Sequence, residues 1–176
     1  MRTFILLLVF LTAFACKEIS YPEPQPKGKK VLEKIPARLH GRYVLPQENN
    51  ATTSDTVIVN SDGYIVTGNS PEKAFLSDSL VLKHYKGYYF LNVHEKPEWV
   101  LRVLKPEKNG DLACLSMETE EKTFNAFLSS LSRVITVDSS EVNGKKIYQI
   151  DPTPKQLMKL VKEGHFNKKI VLKRVE

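Results

Sequence analysis

The fold is decided by LVLKHYKGYYFLNV, residues 80–93. Two runs of β-branched, aromatic and leucine residues flank Lys86-Gly87, a pair that suits a tight two-residue turn because glycine tolerates the positive φ that such turns demand. With this pair as the turn, Tyr85 faces Tyr88 and Leu80 faces Val93. The stretch therefore predicts an antiparallel hairpin with a fixed register.

The predicted hairpin is apolar on both faces. One face carries only aliphatic side chains: Leu80, Leu82, Leu91 and Val93. The other face carries aromatic and aliphatic side chains interrupted by two polar ones: Val81, Lys83, Tyr85, Tyr88, Phe90 and Asn92. A sheet that is apolar on both sides is expected where something covers both, as in a barrel wall, a sandwich or a sheet beneath a helical lid.

Similar short segments lie on both sides of the hairpin, separated by turn residues. The predicted strands of this region are 41–45, 56–59, 64–66, 80–85, 88–93, 99–104 and 112–117. Asp62-Gly63 predicts a second tight turn, and Asn109-Gly110 marks another bend. Joined mostly in sequence, these seven segments form an antiparallel β-meander.

Two helices are predicted after the meander, where the hydrophobic period changes to that of an α-helix. Apolar residues at i, i+3, i+4 and i+7 form the stripe of the first: Phe124, Phe127, Leu128 and Leu131. Thr119 is its predicted N-cap. In the second helix, Thr153 and Gln156 form a capping box around Pro154, and Gly164 can end the helix.

Three further strands complete the predicted domain, at 135–137, 146–150 and 170–175. We therefore predict a mainly β, α+β fold. An antiparallel β-meander forms a barrel-like or sandwich sheet, and two short helices pack on it.

At the N-terminus an apolar run stops at a single cysteine. The run follows Arg2, is uncharged from Thr3 onward and ends at Ala15-Cys16. This is the layout of a secretory signal peptide, and the run is shorter than the roughly 20 residues that a membrane-spanning helix needs. The sequence therefore predicts export, and no transmembrane anchor.

A cysteine directly after Ala13-Phe14-Ala15 resembles the lipobox of bacterial lipoproteins, in the relaxed form of Bacteroidota. The following Lys17-Glu18 is similar to a short form of the charged signal that sends some of those lipoproteins to the cell surface. The resemblance implies a signal peptide over residues 1–15, a lipid anchor of palmitate-type acyl chains on Cys16, and attachment to the outer membrane of a Gram-negative bacterium, facing the periplasm or the surface. The alternative is plain secretion with an incidental cysteine.

The residues after the cysteine predict a tether. Alternate prolines at Pro22, Pro24 and Pro26 favour an extended chain, and lysines follow them. We therefore predict a lipidated cysteine and Pro/Lys-rich tether over residues 16–38 and a single domain over residues 39–176. The second cysteine, Cys114, lies in an apolar strand-like run and is predicted to be a buried, inert thiol.

Charge and motifs limit the function classes. The formal net charge is +6, but an exported protein seldom meets nucleic acid, so we expect a solvated basic surface or attraction to anionic lipid or polysaccharide. The four histidines do not fall in metal-binding spacings, and the sequence predicts no metal, cofactor or catalytic residue. They are His40, His84, His94 and His165.

Carboxylates near strand ends leave one enzymatic alternative, an envelope hydrolase with an acid–base pair at the barrel mouth. The candidates are Asp55, Asp62, Asp78, Glu95, Glu98 and Asp111. Most of them stand beside Gly, Pro or Ser, where aspartate commonly forms turns.

Aromatic residues of the meander are predicted core, or alternatively the stacking lining of a ligand site. The candidates for a lining are Tyr85, Tyr88, Phe90 and Trp99. Gly41-Arg42-Tyr43 resembles the start of a lipocalin, in which tryptophan normally stands at the position of Tyr43, and that resemblance implies a ligand cavity. We predict a non-catalytic binding or interaction protein whose partner is a small molecule, a glycan or an envelope protein.

Overall fold

The computed structural model describes residues 17–46, 55–68, 71–142 and 145–175. The predicted signal peptide and Cys16 lie outside these ranges. The strands are β1 (Lys17–Ser20), β2 (Gly41–Val44), β3 (Thr56–Val59), β4 (Gly63–Thr67), β5 (Glu72–Phe75), β6 (Leu80–Tyr85), β7 (Tyr88–Glu95), β8 (Glu98–Pro106), β9 (Leu112–Ser116), β10 (Glu118–Thr119), β11 (Val137–Val142), β12 (Lys145–Ile150) and β13 (Lys168–Arg174). The helices are α1 (Glu121–Ser132) and α2 (Pro154–Lys162), and a 3-10 turn spans Ala37–Leu39.

Nine strands form one antiparallel, nearly closed barrel-like sheet in the order β5-β4-β3-β2-β13-β9-β8-β7-β6. A second sheet has the order β10-β1-β12-β11, in which β1 and β12 are parallel. The predicted fold class, mainly antiparallel β with two helices, is confirmed. The meander is split in two, however, because the C-terminal strand β13 lies between β2 and β9 and pairs with both.

The central hairpin has the predicted register. Tyr85 pairs with Tyr88 and Leu80 with Val93. Lys86 and Gly87 have φ values of 48° and 83°, the left-handed conformation that a two-residue hairpin turn requires. Local turn chemistry and strand alternation therefore suffice to fix this part of the sheet.

The predicted Asp62-Gly63 turn is wrong by one residue. Gly63 is the first residue of β4, and the Asn60 side chain forms the turn by accepting hydrogen bonds from the backbone N–H groups of Asp62 and Gly63, both at 3.0 Å. Glycine is needed here because a Cβ at residue 63 would collide with the carbonyl oxygen of Ala74 on β5. That strand was absent from the prediction: its sequence, EKAF, is mostly exposed and lacks an apolar alternation.

The helices match the prediction except at one end. Thr153 and Gln156 form the capping box of α2, and Gly164 ends the helix at φ 80°. For α1 the predicted N-cap Thr119 is wrong: Thr119 belongs to β10, and Glu120 is the N-cap. The strand predicted at 135–137 begins only at Val137, because the residues before it pack against the core.

The two faces of the sheet pack into two different cores. The outer core lies under the helices and the second sheet and includes Phe90, Leu101, Phe124, Leu131, Ile150, Leu157 and Leu160. The inner core fills the barrel and includes Leu39, Tyr43, Leu82, Tyr89 and Leu112. Both faces of the sheet are therefore covered, as its apolar composition predicts.

The predicted tether is wrong: residues 17–39 are packed into the fold, and we name them the N-terminal strap. Ile19 and Tyr21 are each 1% exposed in the outer core, and β1 pairs with β10 and β12. Further along, the Leu32 N–H donates to the Leu82 carbonyl on β6 at 2.8 Å. The Ile35 N–H donates to the Ser61 carbonyl at 2.7 Å. The strap thus runs from the outer core along the edge strand β6 to the β3–β4 loop, where Ile35 and Leu39 enter the inner core.

Candidate functional site

The four aromatic residues predicted to line a ligand site share one face of the sheet. Phe90 is fully buried in the outer core, and Tyr85 and Tyr88 are half-buried against the same core. Trp99 lies at the opposite end of the hairpin and stacks on His94, with ring centroids 4.5 Å apart. Core and cross-strand packing accounts for these contacts.

Lys83 interrupts the apolar face of the hairpin because it binds the strap. Its Nζ donates hydrogen bonds to the carbonyl oxygens of Pro24, at 2.7 Å, and Pro26, at 3.1 Å. The Pro26 carbonyl also accepts from the Lys29 N–H at 3.3 Å, and Lys83 adds a charged donor for both carbonyls where the strap is buried. Burial lowers the pKa of Lys83, and Glu23 acts in the opposite direction.

Asn92, the second polar residue of that face, binds the strap through both ends of its amide. Its Oδ1 accepts from the Gln25 N–H at 2.6 Å, and its Nδ2 donates to the Gln25 carbonyl at 2.9 Å. Asn92 and Gln25 are both fully buried. The side-chain amide therefore replaces a strand as the hydrogen-bonding partner of the strap.

One end of the barrel carries two glutamates bridged by an arginine, and we name Glu18, Arg102, Glu118 and Lys168 the carboxylate cluster. Glu18 and Glu118 are paired residues of β1 and β10. Arg102 binds both oxygens of Glu18 and lies 3.4 Å from Oε1 of Glu118. Lys168 Nζ lies 2.6 Å from Oε2 of Glu118.

The two carboxyls of the cluster have pKa values shifted in opposite directions. Burial raises the pKa of Glu18, although Arg102 acts against it. Burial alone would also raise the pKa of Glu118, but the hydrogen bond from Lys168 and the charge of Arg102 outweigh it, so the pKa of Glu118 is lowered. Opposite shifts occur in acid–base pairs and equally in structural ion pairs. Here every carboxylate oxygen has a donor, because Ser116 also donates to Glu118 Oε1 at 2.9 Å.

Of the carboxylates predicted from the sequence, Glu95 and Glu98 lie at one turn and Asp111 lies at another. Glu95 and Glu98 pair across the β7–β8 turn. Asp111 accepts hydrogen bonds from Lys173 Nζ, at 2.8 Å, and from the Arg174 N–H, at 3.0 Å. Through these hydrogen bonds, Asp111 links the start of β9 to the end of β13. These residues are placed by turn and strand-end contacts.

Cys114 is half-buried on β9. Burial raises its pKa to about 11, although the charge of Arg102 acts against this. The thiol therefore stays protonated at neutral pH, which suits the predicted inert role. Within the described ranges, no group of three or more His, Cys, Asp or Glu side chains could hold a metal ion.

The opposite end of the barrel carries basic side chains, exposed except for the half-buried His40, and we name Arg38, His40, Arg42, His84 and Arg174 the basic rim. Arg38 donates to the Tyr89 hydroxyl and to His84 Nε2, the latter at 3.1 Å, and its guanidinium lies 4.7 Å from the centre of the Tyr89 ring. Arg174 Nη2 donates to the His40 carbonyl at 2.7 Å. These contacts order the side chains while their outer faces stay in solvent.

A shallow depression of about 380 Å³ lies within the basic rim. It is lined by His40, Gly41, Arg42, Ile58, Val59 and Arg174. Guanidinium groups bind carboxylate, sulfate and phosphate groups through paired hydrogen bonds, and the two aliphatic side chains add an apolar wall. The arrangement suits an anionic group at the surface of a larger partner. Sequence reasoning missed it because its residues come from distant segments of the chain.

Within the ranges that the structure describes, no helix combines the length and the hydrophobicity needed to cross a bilayer. Comparison with known proteins gives no match: no family model, no curated protein and no solved structure resembles this chain. Its function is therefore inferred from its own residues.

Proposed function

We propose that this chain is a lipoprotein of the bacterial outer membrane with a non-catalytic binding domain. The observation that carries the proposal is the position of Cys16. It ends the apolar run and directly precedes Lys17, where β1 begins. A lipobox-like cysteine thus stands at the boundary between an apolar run and the folded domain.

Acylation would anchor the domain durably. Each buried methylene contributes about 0.8 kcal/mol, so a single chain binds a membrane only marginally and several chains bind it firmly. The folded part packs its large apolar side chains mainly into two cores. A lipid anchor would therefore be the means by which it stays at the membrane.

The basic rim is the surface that we assign to binding. Its guanidinium groups, the depression between them and the net charge of +6 favour an anionic partner, such as an acidic glycan or the acidic surface of an envelope protein. A mobile arginine loses side-chain entropy when it binds a partner, and this loss weakens binding. Arg38 and Arg174 are already held by hydrogen bonds, so they lose less entropy on binding.

An envelope hydrolase is the alternative. The opposite pKa shifts of Glu18 and Glu118 are the observation on its side. Their oxygens are bound by Arg102, Lys168 and Ser116, which leaves none placed to act on a substrate. The contacts therefore favour the binding proposal.

Replacing Cys16→Ser is expected to abolish acylation and release the protein from membranes. The measurement is palmitate labelling in a Gram-negative host, followed by separation of membrane and soluble fractions. Cys114→Ser is the matched control and should remain labelled and membrane-bound. A mature N-terminus that proves bare by mass spectrometry, or a Cys16→Ser variant that still sediments with membranes, would contradict the proposal.

Reversing two charges of the basic rim is expected to weaken binding to a polyanion. For the soluble domain and dextran sulfate at low salt, the Arg38→Glu and Arg42→Glu double variant should bind about tenfold more weakly, equivalent to about 1.4 kcal/mol. The control is the Lys122→Glu and Lys155→Glu double variant, which changes the net charge equally on exposed helix positions. Equal weakening of dextran sulfate binding in both double variants would show that binding depends on net charge alone and not on the basic rim.

A further inference from the structure

We infer that the anchor holds the carboxylate-cluster end of the barrel against the membrane and presents the basic rim away from it. The inference rests on the proposed acylation of Cys16. It concerns the orientation of the domain, which follows from where the strap begins in the fold.

The anchor has no spacer. Cys16 is joined directly to Lys17, so their Cα atoms are about 3.8 Å apart. Lys17 pairs with Thr119 and Glu18 with Glu118 at the edge of the second sheet. The acylated residue would therefore lie within one residue of a fixed strand, with no length of free chain between the lipid and the domain.

The first strand is also too firmly packed to peel off and act as a spacer. Ile19 and Tyr21 are each 1% exposed in the outer core. Tyr21 and Trp99 exchange two backbone hydrogen bonds, of 2.8 and 3.0 Å. The Glu18 carboxylate is bound by Arg102. Releasing the strand would expose all of these groups, so the point where the chain meets Cys16 stays fixed on the domain.

The two charged regions lie at opposite ends of strand β13. Lys168 begins the strand, pairs with Ser116 and contacts Glu118, beside the anchor. Arg174 ends it, six residues further on, which is about 20 Å along a β-strand. The anchor therefore fixes the basic rim at the far side of the barrel from the membrane.

Charge alone would favour the reverse orientation. Anionic lipid attracts basic side chains by about 1 kcal/mol for each one near the surface. A domain on a long flexible tether would therefore turn its basic rim toward an anionic membrane. A domain held at Lys17 cannot turn its basic rim toward the membrane without unfolding β1. The directly anchored domain and one on a flexible tether should therefore have opposite orientations, which can be tested.

The test places a fluorophore at either end of the lipidated protein. Glu120→Cys lies next to the anchor, and Lys108→Cys lies on the β8–β9 turn, whose Gly110 is beside Arg174. Both are made in a Cys114→Ser background and reconstituted into phosphatidylcholine vesicles containing phosphatidylglycerol and a headgroup-linked quencher. We expect quenching several-fold stronger at position 120 than at position 108.

A spacer variant provides the control. A flexible Gly/Ser segment inserted between Cys16 and Lys17 should remove the difference, because the rim can then reach the anionic headgroups. Equal quenching at both positions without the spacer, or an unchanged difference with it, would overturn the inference. The mass of the purified protein separates the two proposals. Missing acyl chains refute the proposed anchor and, with it, this inference, whereas acyl chains with equal quenching refute the orientation alone.

Discussion

Deletion of residues 17–38 is expected to unfold the domain. It removes Ile19, Tyr21 and Ile35, which are 1%, 1% and 7% exposed. Burial of one large apolar side chain contributes about 1.5–3 kcal/mol, so these three contribute roughly 5–9 kcal/mol. A domain of this size has a total stability of about 5–15 kcal/mol. The deletion also removes the backbone groups that Asn92 and Lys83 bind and exposes the apolar face around them to water.

Urea unfolding followed by circular dichroism would measure this effect on the 17–176 and 39–176 forms. We expect a cooperative transition for the longer form and none for the shorter one. A synthetic peptide of residues 17–38 added to the shorter form provides a control, because it should restore part of the lost structure. Cooperative unfolding of the 39–176 form at an unchanged midpoint would mean that the strap is a free tether.

The second large effect is expected from Asn92→Leu. Leucine has the same branching and the same number of side-chain heavy atoms but cannot bind the backbone of Gln25, so one N–H and one carbonyl are left buried without a partner. Each such group costs about 1–3 kcal/mol, and we expect a loss of about 2–6 kcal/mol in the free energy of unfolding. Urea titration at neutral pH measures it.

Asn125→Leu serves as the matched control for that substitution. Asn125 is exposed on α1, so the same chemical change there should alter the free energy of unfolding by no more than about 0.5 kcal/mol. If the free energy of unfolding falls equally little in both variants, the contacts of Asn92 do not stabilise the strap. Apolar packing alone would then hold the strap in place.

The central hairpin and the helices were predictable because their determinants are local. A Lys-Gly turn and strict alternation set the register of residues 80–93. A capping box and a glycine set the ends of α2. Such signals act between neighbours in sequence and do not depend on the rest of the fold.

The strap was mispredicted because prolines and lysines describe a solvated chain when only local composition is considered. Its burial depends on Lys83 and Asn92, about 60 residues away. Those two residues were the available signal, since a polar side chain that points into a core needs a partner. Ile19 and Tyr21 were a second signal, because a solvated spacer would expose these large apolar side chains to water.

The basic rim could not be predicted at all, since it is assembled from residues 38–42, 84 and 174. No spacing rule connects these segments, and only the closure of the sheet brings them to one end. Single basic residues in each segment are ordinary surface residues by themselves.

The position of β13 affects when the barrel can form during synthesis. Until residues 168–174 leave the ribosome, β2 and β9 each lack a neighbour, and the two halves of the sheet cannot join. The barrel must therefore remain incompletely folded until β13 has been synthesised. If the chain is exported as proposed, this delay is useful, because a polypeptide that has not yet closed its barrel can still be threaded through a narrow translocation channel.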